Sequence, residues 1–268
     1  MAKSPPGKIR VGIGGWTFED WRGSFYPKGL AQKRELEYAS RQLTAIEING
    51  TYYGSQKPES FARWRDETPE GFVFSVKGTR FSTNRRVLAE AGQSVERFFN
   101  SGVLELKSKL GPILWQMAPT KKFDPEDFEG FLKLLPKELD GRAIRHVVEV
   151  RQPNFLVPEF IALLRQFSVA VVLAESTKHP LIADVTADFV YARLQLTSEK
   201  EKSGYPARDL DRWAKRAQTW TTGAAPDDLV PIAGTPPGKR KRDVFLYMIS
   251  GAKVRAPAAA MALIERIK

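Results

Sequence analysis

Eight short stretches of this sequence alternate apolar residues with other side chains, and a segment of helical periodicity follows most of them. The strand-like stretches cover residues 9–13, the start of 44–53, 71–77, 113–117, 146–150, 169–174, 188–193 and 243–248. Helical spacing marks 33–41, 58–67, 94–109, 125–135, 158–167, 208–220 and 257–267, with Ser94 and Asp124 as N-caps and Gly111-Pro112 as a stop. Strand–helix alternation builds a parallel sheet with helices outside, because parallel neighbours need a crossover between them. Eight such units predict an α/β fold closed into a (β/α)8 TIM-type barrel. Residues 175–187 show little helical pattern, so an irregular segment is expected between strands six and seven. No internal repeat and no flexible linker divides the chain, which predicts a single domain over 1–268, with 1–8 extended or disordered and 221–242 a long surface loop.

In such a barrel one face of each strand packs on helices and the other fills the interior, so residue parity assigns the faces. Ile46 and Ile48 oppose Glu47 and Asn49, and Phe74 and Val76 oppose Ser75 and Lys77. Trp115 and Met117 oppose Gln116, Val148 and Val150 oppose Glu149 and Arg151, and Val190 and Ala192 oppose Tyr191 and Arg193. The inward set turns polar towards the C-terminal end of the strands, the end where barrel enzymes hold their sites. Buried Glu–Arg and Glu–Lys pairs can simply satisfy one another. Desolvating five charges is costly, however, and such costs concentrate at functional sites. Glu47 and Glu149 are therefore the candidate general acid and base. Lys77, Arg151 and Arg193 are the candidate anion-holding groups, with Asn49, Tyr53 and Gln116 beside them. The loop after strand one brings Trp16, Phe18, Trp21, Arg22 and Tyr26 to the same side, either to stack a base or sugar or to plug the loop.

Charge and composition narrow the partner. The 42 basic against 31 acidic residues leave +11, which suits a small phosphorylated ligand or a nucleic acid, and equally a basic surface with neither. The chain has no cysteine, which excludes disulfides, cysteine nucleophiles and thiolate metal sites and fits a reducing cytosol. With no signal-peptide core and no run of membrane-spanning length, a cytoplasmic location without a membrane partner is expected. Of the two histidines, His146 opens strand five at the end away from the mouth and is read as structural, while His179 sits in a loop before Pro180. That rules against a histidine zinc site. Glu47, Glu149 and Glu175 would suit a hard divalent cation. Neighbouring lysines and arginines compete for the same carboxylates, so no metal or other cofactor is expected.

Three further motifs are set aside. Gly12-Ile-Gly-Gly15 has Thr17 where a dinucleotide fingerprint needs its third glycine. The stretch 234–240 is one residue short of a P-loop, with Arg240 in place of the Ser/Thr. The basic run Lys239-Arg-Lys-Arg242 precedes strand eight, on the face opposite the mouth, and is read as a solvated loop rather than a polyanion contact.

Several stretches together resemble the YecE-like family, the domain of unknown function 72, over nearly the whole chain. They are Gly12-Ile-Gly-Gly-Trp16, Trp21-Arg-Gly-Ser-Phe-Tyr-Pro27, Glu47-Ile-Asn-Gly-Thr-Tyr-Tyr53, Phe61-Ala-Arg-Trp64, Phe72-Val-Phe-Ser-Val-Lys77, Gly111-Pro-Ile-Leu-Trp-Gln116, Val148-Glu-Val-Arg151 and Ala187-Asp-Phe-Val-Tyr-Ala-Arg193. The resemblance implies a barrel of this kind and no settled activity. The chain departs from the family pattern at histidines, with Asn84, Gln152 and Gln195 in their places, and at paired asparagines, replaced by Ile249-Ser250. Two functions stand open at this point. One is an enzyme, or a diverged former enzyme, acting on a phosphorylated or nucleotide-like anion at the mouth. The other is a nucleic-acid-binding protein without catalysis.

Overall fold

All eight strand-like stretches become parallel strands: β1 (Ile9–Gly14), β2 (Ala45–Ile48), β3 (Val73–Lys77), β4 (Leu110–Gln116), β5 (His146–Glu149), β6 (Ala170–Glu175), β7 (Phe189–Leu194) and β8 (Asp243–Met248). Each pairs with its neighbour in sequence, and β1 also pairs with β8, so the sheet closes into a barrel. The computed structural model describes residues 7–234 and 240–268. The expectation for residues 1–8 therefore falls mostly outside the described residues, as does part of the 221–242 segment and of the two motifs around Lys239.

The helices are α1 (Glu35–Gln42), α2 (Pro58–Glu67), α3 (Arg80–Thr83), α4 (Gly92–Phe99), α5 (Pro125–Lys133), α6 (Pro158–Phe167), α7 (Ala207–Thr221) and α8 (Ala256–Ile267). Asp124 caps α5, its side chain accepting from the Asp127 amide. Residues 176–188, between β6 and β7, form no helix. Alternating apolar positions become two cores. Outward residues such as Ile46, Phe74, Trp115 and Val148 pack under the helices. Inward residues such as Ala45, Leu114, Val147, Tyr191 and Tyr247 fill the barrel. Gly12 is needed for that filling. A Cβ there would stand 2.0 Å from the Ala45 carbonyl oxygen and 3.3 Å from the Tyr247 ring.

Five details depart from the sequence expectation. The helix expected over 94–109 ends at Phe99, and a 3-10 segment (Val103–Lys109) follows Gly102, whose φ of +98° breaks the helical path. Ser94 lies inside α4 and bonds back to the Ala91 carbonyl, so Ala91, not Ser94, is the N-cap. Gly111-Pro112 stops no helix but belongs to β4. The proline is tolerated because the β3–β4 register shifts between Phe74 and Val76. A two-residue hairpin, Glu138–Leu139 with Arg142–Ala143, is too short to show as a period. Arg242, expected in a solvated run, is instead buried at the foot of β8, 2% exposed. In the loop after α7, the Ile232 and Ala233 amides donate to Asp184 of the β6–β7 segment at 2.7 and 3.0 Å.

His146 opens β5 at the end away from the mouth and, two residues before the outward Val148, shares its face. Trp115 Nε1 donates to its Nδ1 at 3.0 Å, and its Nε2 donates to the Pro136 carbonyl at 2.8 Å, which fixes the neutral tautomer. Burial pushes its pKa down from 6.5 to about 4. Between those values the unfolded chain binds a proton that the folded chain refuses, so His146 lowers stability as pH falls from 6.5 towards 4. His146→Phe strands the Trp115 N–H and the Pro136 carbonyl at a cost of about 2–4 kcal/mol, and it removes this acid-dependent loss. Urea unfolding from pH 4 to 7 checks both, and parallel pH profiles for wild type and variant would refute the second.

Candidate functional site

The polar ends of β2, β3, β4, β5 and β7 meet inside the barrel because their registers align. Gln116 lies opposite Glu149, Glu47 opposite Ser75, and Arg193 opposite Tyr247. At the centre is the Arg193 guanidinium, 4% exposed. Its Nη2 donates to Glu47 at 3.0 Å and its Nη1 donates to Glu149. Gln116 donates to the same Glu149 oxygen at 2.9 Å. Tyr191 donates to the other Glu47 oxygen at 2.6 Å, and Ser75, 2.9 Å from Tyr191, donates to the Pro112 carbonyl at 2.7 Å. Burial alone would raise the Glu149 pKa, but Arg193, Arg151, Gln116 and Lys77 outweigh it and hold the carboxyl below its ordinary range. Burial and the Glu47 charge lift the Tyr191 pKa well above the ordinary value, so it stays a donor.

Above this floor a cavity of about 950 Å³ opens at the C-terminal mouth. Six expected residues line it: Asn49, Tyr53, Lys77, Gln116, Arg151 and Arg193. Glu47 and Glu149 do not. At 0% and 1% exposure they lie beneath the floor, their oxygens engaged by Arg193 and its neighbours, which corrects their assignment as groups in contact with a ligand. Trp16 and Arg22 are not brought to the cavity either. Trp16 packs edge-on against Trp64 and Phe74, on the helix side of the barrel, and Arg22 pairs with the buried Glu35 of α1 at 2.8 Å. Trp21 borders the cavity but is 1% exposed, its Nε1 donating to the Lys253 carbonyl, so the aromatic loop packs down as a plug. Glu175, the third acid weighed for a cation, points outward and accepts from Tyr205 and from Trp213 at 2.8 Å, so it cannot join Glu47 and Glu149. Parity already placed it there, since Ala174 beside it faces inward.

Several lining residues were not singled out. Tyr52 precedes Tyr53, Lys178 and Lys253 belong to loops that follow β6 and β8, and His179, already read as a loop residue, stands beside Lys178. The rule that segments after strand ends build the mouth reaches all four. His179 has its pKa lowered by burial and by Arg151, so its imidazole is neutral near pH 7. Of the positions where histidine is replaced, Gln195 lines the cavity, Asn84 accepts from Tyr52 at 3.2 Å, and Gln152 donates to the Pro119 carbonyl.

Of the lysines that line the cavity Lys77 is the buried one, 7% exposed, whereas Lys178 and Lys253 are exposed. Its Nζ sits 4.0 Å from the centroid of the Tyr52 ring and, among the described residues, makes no ion pair and no hydrogen bond. Burial and the facing Arg193 bring its pKa down from 10.5 to about 8. Arg151 acts in the same direction, and Glu47 and Glu149 only partly oppose it.

Comparison with known proteins bears on the family and the fold. Residues 10–268 match the family described as "Protein of unknown function DUF72". The chain is 28% identical over 150 residues to the UPF0759 protein YecE of Escherichia coli, covering 55% of this chain and 50% of that one. It is 28% identical over 116 residues to the UPF0759 protein YunF of Bacillus subtilis, covering 41% of this chain and 40% of that one. The matched stretches thus span half the length of these relatives or less. The crystal structure of a DUF72 family protein from Thermotoga maritima superposes with a TM-score of 0.70 at 21% identity, covering 96% of this chain and 97% of that one. That likeness is one of fold.

The floor and the wall respond differently to mutation. Arg193→Met leaves two carboxylates buried without their cation and costs about 3–5 kcal/mol. Lys77→Met removes a desolvated charge with no acidic partner and leaves stability unchanged or slightly raised. Equilibrium unfolding of the two variants at pH 7 checks the contrast, and equal losses would place Lys77 in the floor.

Proposed function

The chain belongs to the DUF72 family, and we propose from its own site that it binds a small anionic ligand, phosphorylated or nucleotide-like, in the mouth cavity. One observation carries this: Lys77, Arg151, Lys178, Arg193 and Lys253 reach the cavity wall while both neighbouring acids are sealed beneath it. Positive groups fixed around a recess, with their counter-ions turned away, attract an anion and orient it at little reorganisation cost. Arg193 is held by Glu47 and Glu149, so these acids position a binding group rather than transfer protons to a ligand. Proton transfer in an enzyme of this design falls to Lys77 and His179, which line the wall. Tyr52 and Tyr53 offer ring faces to a base or sugar at the rim.

The nucleic-acid alternative draws less support. Its loop aromatics, Trp16 and Trp21, are packed inwards, and Arg242 of the basic run is buried.

Sulfate tests the proposal, because its charge does not change over the relevant range. Lys77 loses its proton near pH 8 in the folded chain, and an anion paired with it holds that proton on. Sulfate affinity, read by calorimetry and by the shift in Tm, therefore falls as pH rises through 8, approaching tenfold per pH unit. In Lys77→Met the affinity is lower and flat from pH 7 to 9. Absence of any sulfate binding at low ionic strength would remove the proposal.

A further inference from the structure

Lys77 sits on the wall with a use that anion binding does not exhaust. Among the described residues its Nζ makes no ion pair: Glu47 and Glu149 accept from Arg193, and the Tyr52 ring centroid lies 4.0 Å from the Nζ.

 Its amine is thus held without a counter-ion, among the guanidinium groups of Arg193 and Arg151 and beside the Tyr52 ring, in a cavity open to solutes. An amine held between cations and shielded from water gives up its proton readily and keeps a nucleophilic lone pair at ordinary pH.

We infer that Lys77 forms an imine with a small aldehyde or ketone that carries a phosphate or other anionic group, Arg193 and Arg151 holding the anion while the amine attacks the carbonyl. The nitrogen lone pair bonds to the carbonyl carbon, and the π pair moves to the oxygen, which takes up a proton. The resulting carbinolamine loses that hydroxyl as water, together with a proton from nitrogen, leaving Lys77 joined through C=N. One amine and one carbonyl give one imine and one water, and no oxidant or reductant is consumed. Protonated, the imine withdraws electrons from the adjacent carbon, the property that makes lysine a covalent catalyst for carbonyl substrates. The inference rests on the anion-binding proposal above and adds to it a substrate class.

Dihydroxyacetone phosphate with sodium borohydride tests it, since hydride from the borohydride reduces the imine to a stable secondary amine. The expected result is a single adduct, mapped by peptide mass to Lys77, at least tenfold above any other lysine. Inorganic phosphate suppresses it, unphosphorylated dihydroxyacetone gives at least tenfold less, and Lys77→Arg gives none at that position. Labelling of Lys77 levels off above about pH 8, where surface lysines continue to gain. Labels spread over surface lysines, with Lys77 not preferred, would overturn the inference, and the mapping on wild-type protein reads this whether or not a variant folds. If Lys77 stays unlabelled while sulfate still binds as described, the imine falls and the anion site stands. If both are absent, both fall.

Discussion

The Arg193 guanidinium between Glu47 and Glu149 is the contact on which the interior depends. It ties β7 to β2 and β5 across the barrel, well inside the ladder hydrogen bonds that join strand to neighbouring strand. A lone charge at that depth would cost several kcal/mol. One cation between two anions, with Gln116 and Tyr191 filling further lone pairs, makes the burial tolerable. The polar chain then runs down through Ser75 to the Pro112 carbonyl, and this accounts for a proline within a barrel strand. Its carbonyl serves the interior, while its missing N–H falls where the ladder is already shifted.

What this arrangement consumes defines what it leaves. Both acids near the mouth are spent on Arg193, so the wall above is positive by subtraction. Arg151 reaches Glu149 only at 3.5 Å, a loose approach beside the closer Arg193 contacts. Among the described residues Lys77 makes no ion pair. The floor therefore serves as structure, and on the anion-binding proposal the wall is the site, although both are made of the same kinds of residue at neighbouring positions.

Strand order, closure and the inward face of each strand were legible because side-chain parity is a property of the extended chain itself. Glu47, Lys77, Gln116, Glu149 and Arg193 all point where alternation sends them. Depth along the strand was not legible. Parity cannot distinguish Glu47, a level below the cavity, from Asn49, two residues on and lining it. Trp16 and Arg22 failed for another reason: a loop following a strand lies at the mouth, but whether its side chains face the cavity or the helices depends on packing against α1 and α2. The break at Gly102 and the hairpin at Glu138–Ala143 escaped because each spans less than one period of the pattern that would reveal it.

The missing helix between β6 and β7 gives the rim an unequal stiffness. Elsewhere the mouth segments lead into helices whose packing on the barrel fixes where each loop can go. The segment after β6 contributes Lys178 and His179 to the cavity without such a brace, and it is fastened only further on, where Asp184 grips the backbone at Ile232 and Ala233. Insertions and exchanges at 176–181, short of the buried Ile182, thus change the shape of the opening without repacking the outer layer. Along a lineage, this flank is where selectivity can drift while the scaffold and its guanidinium keystone stay unaltered.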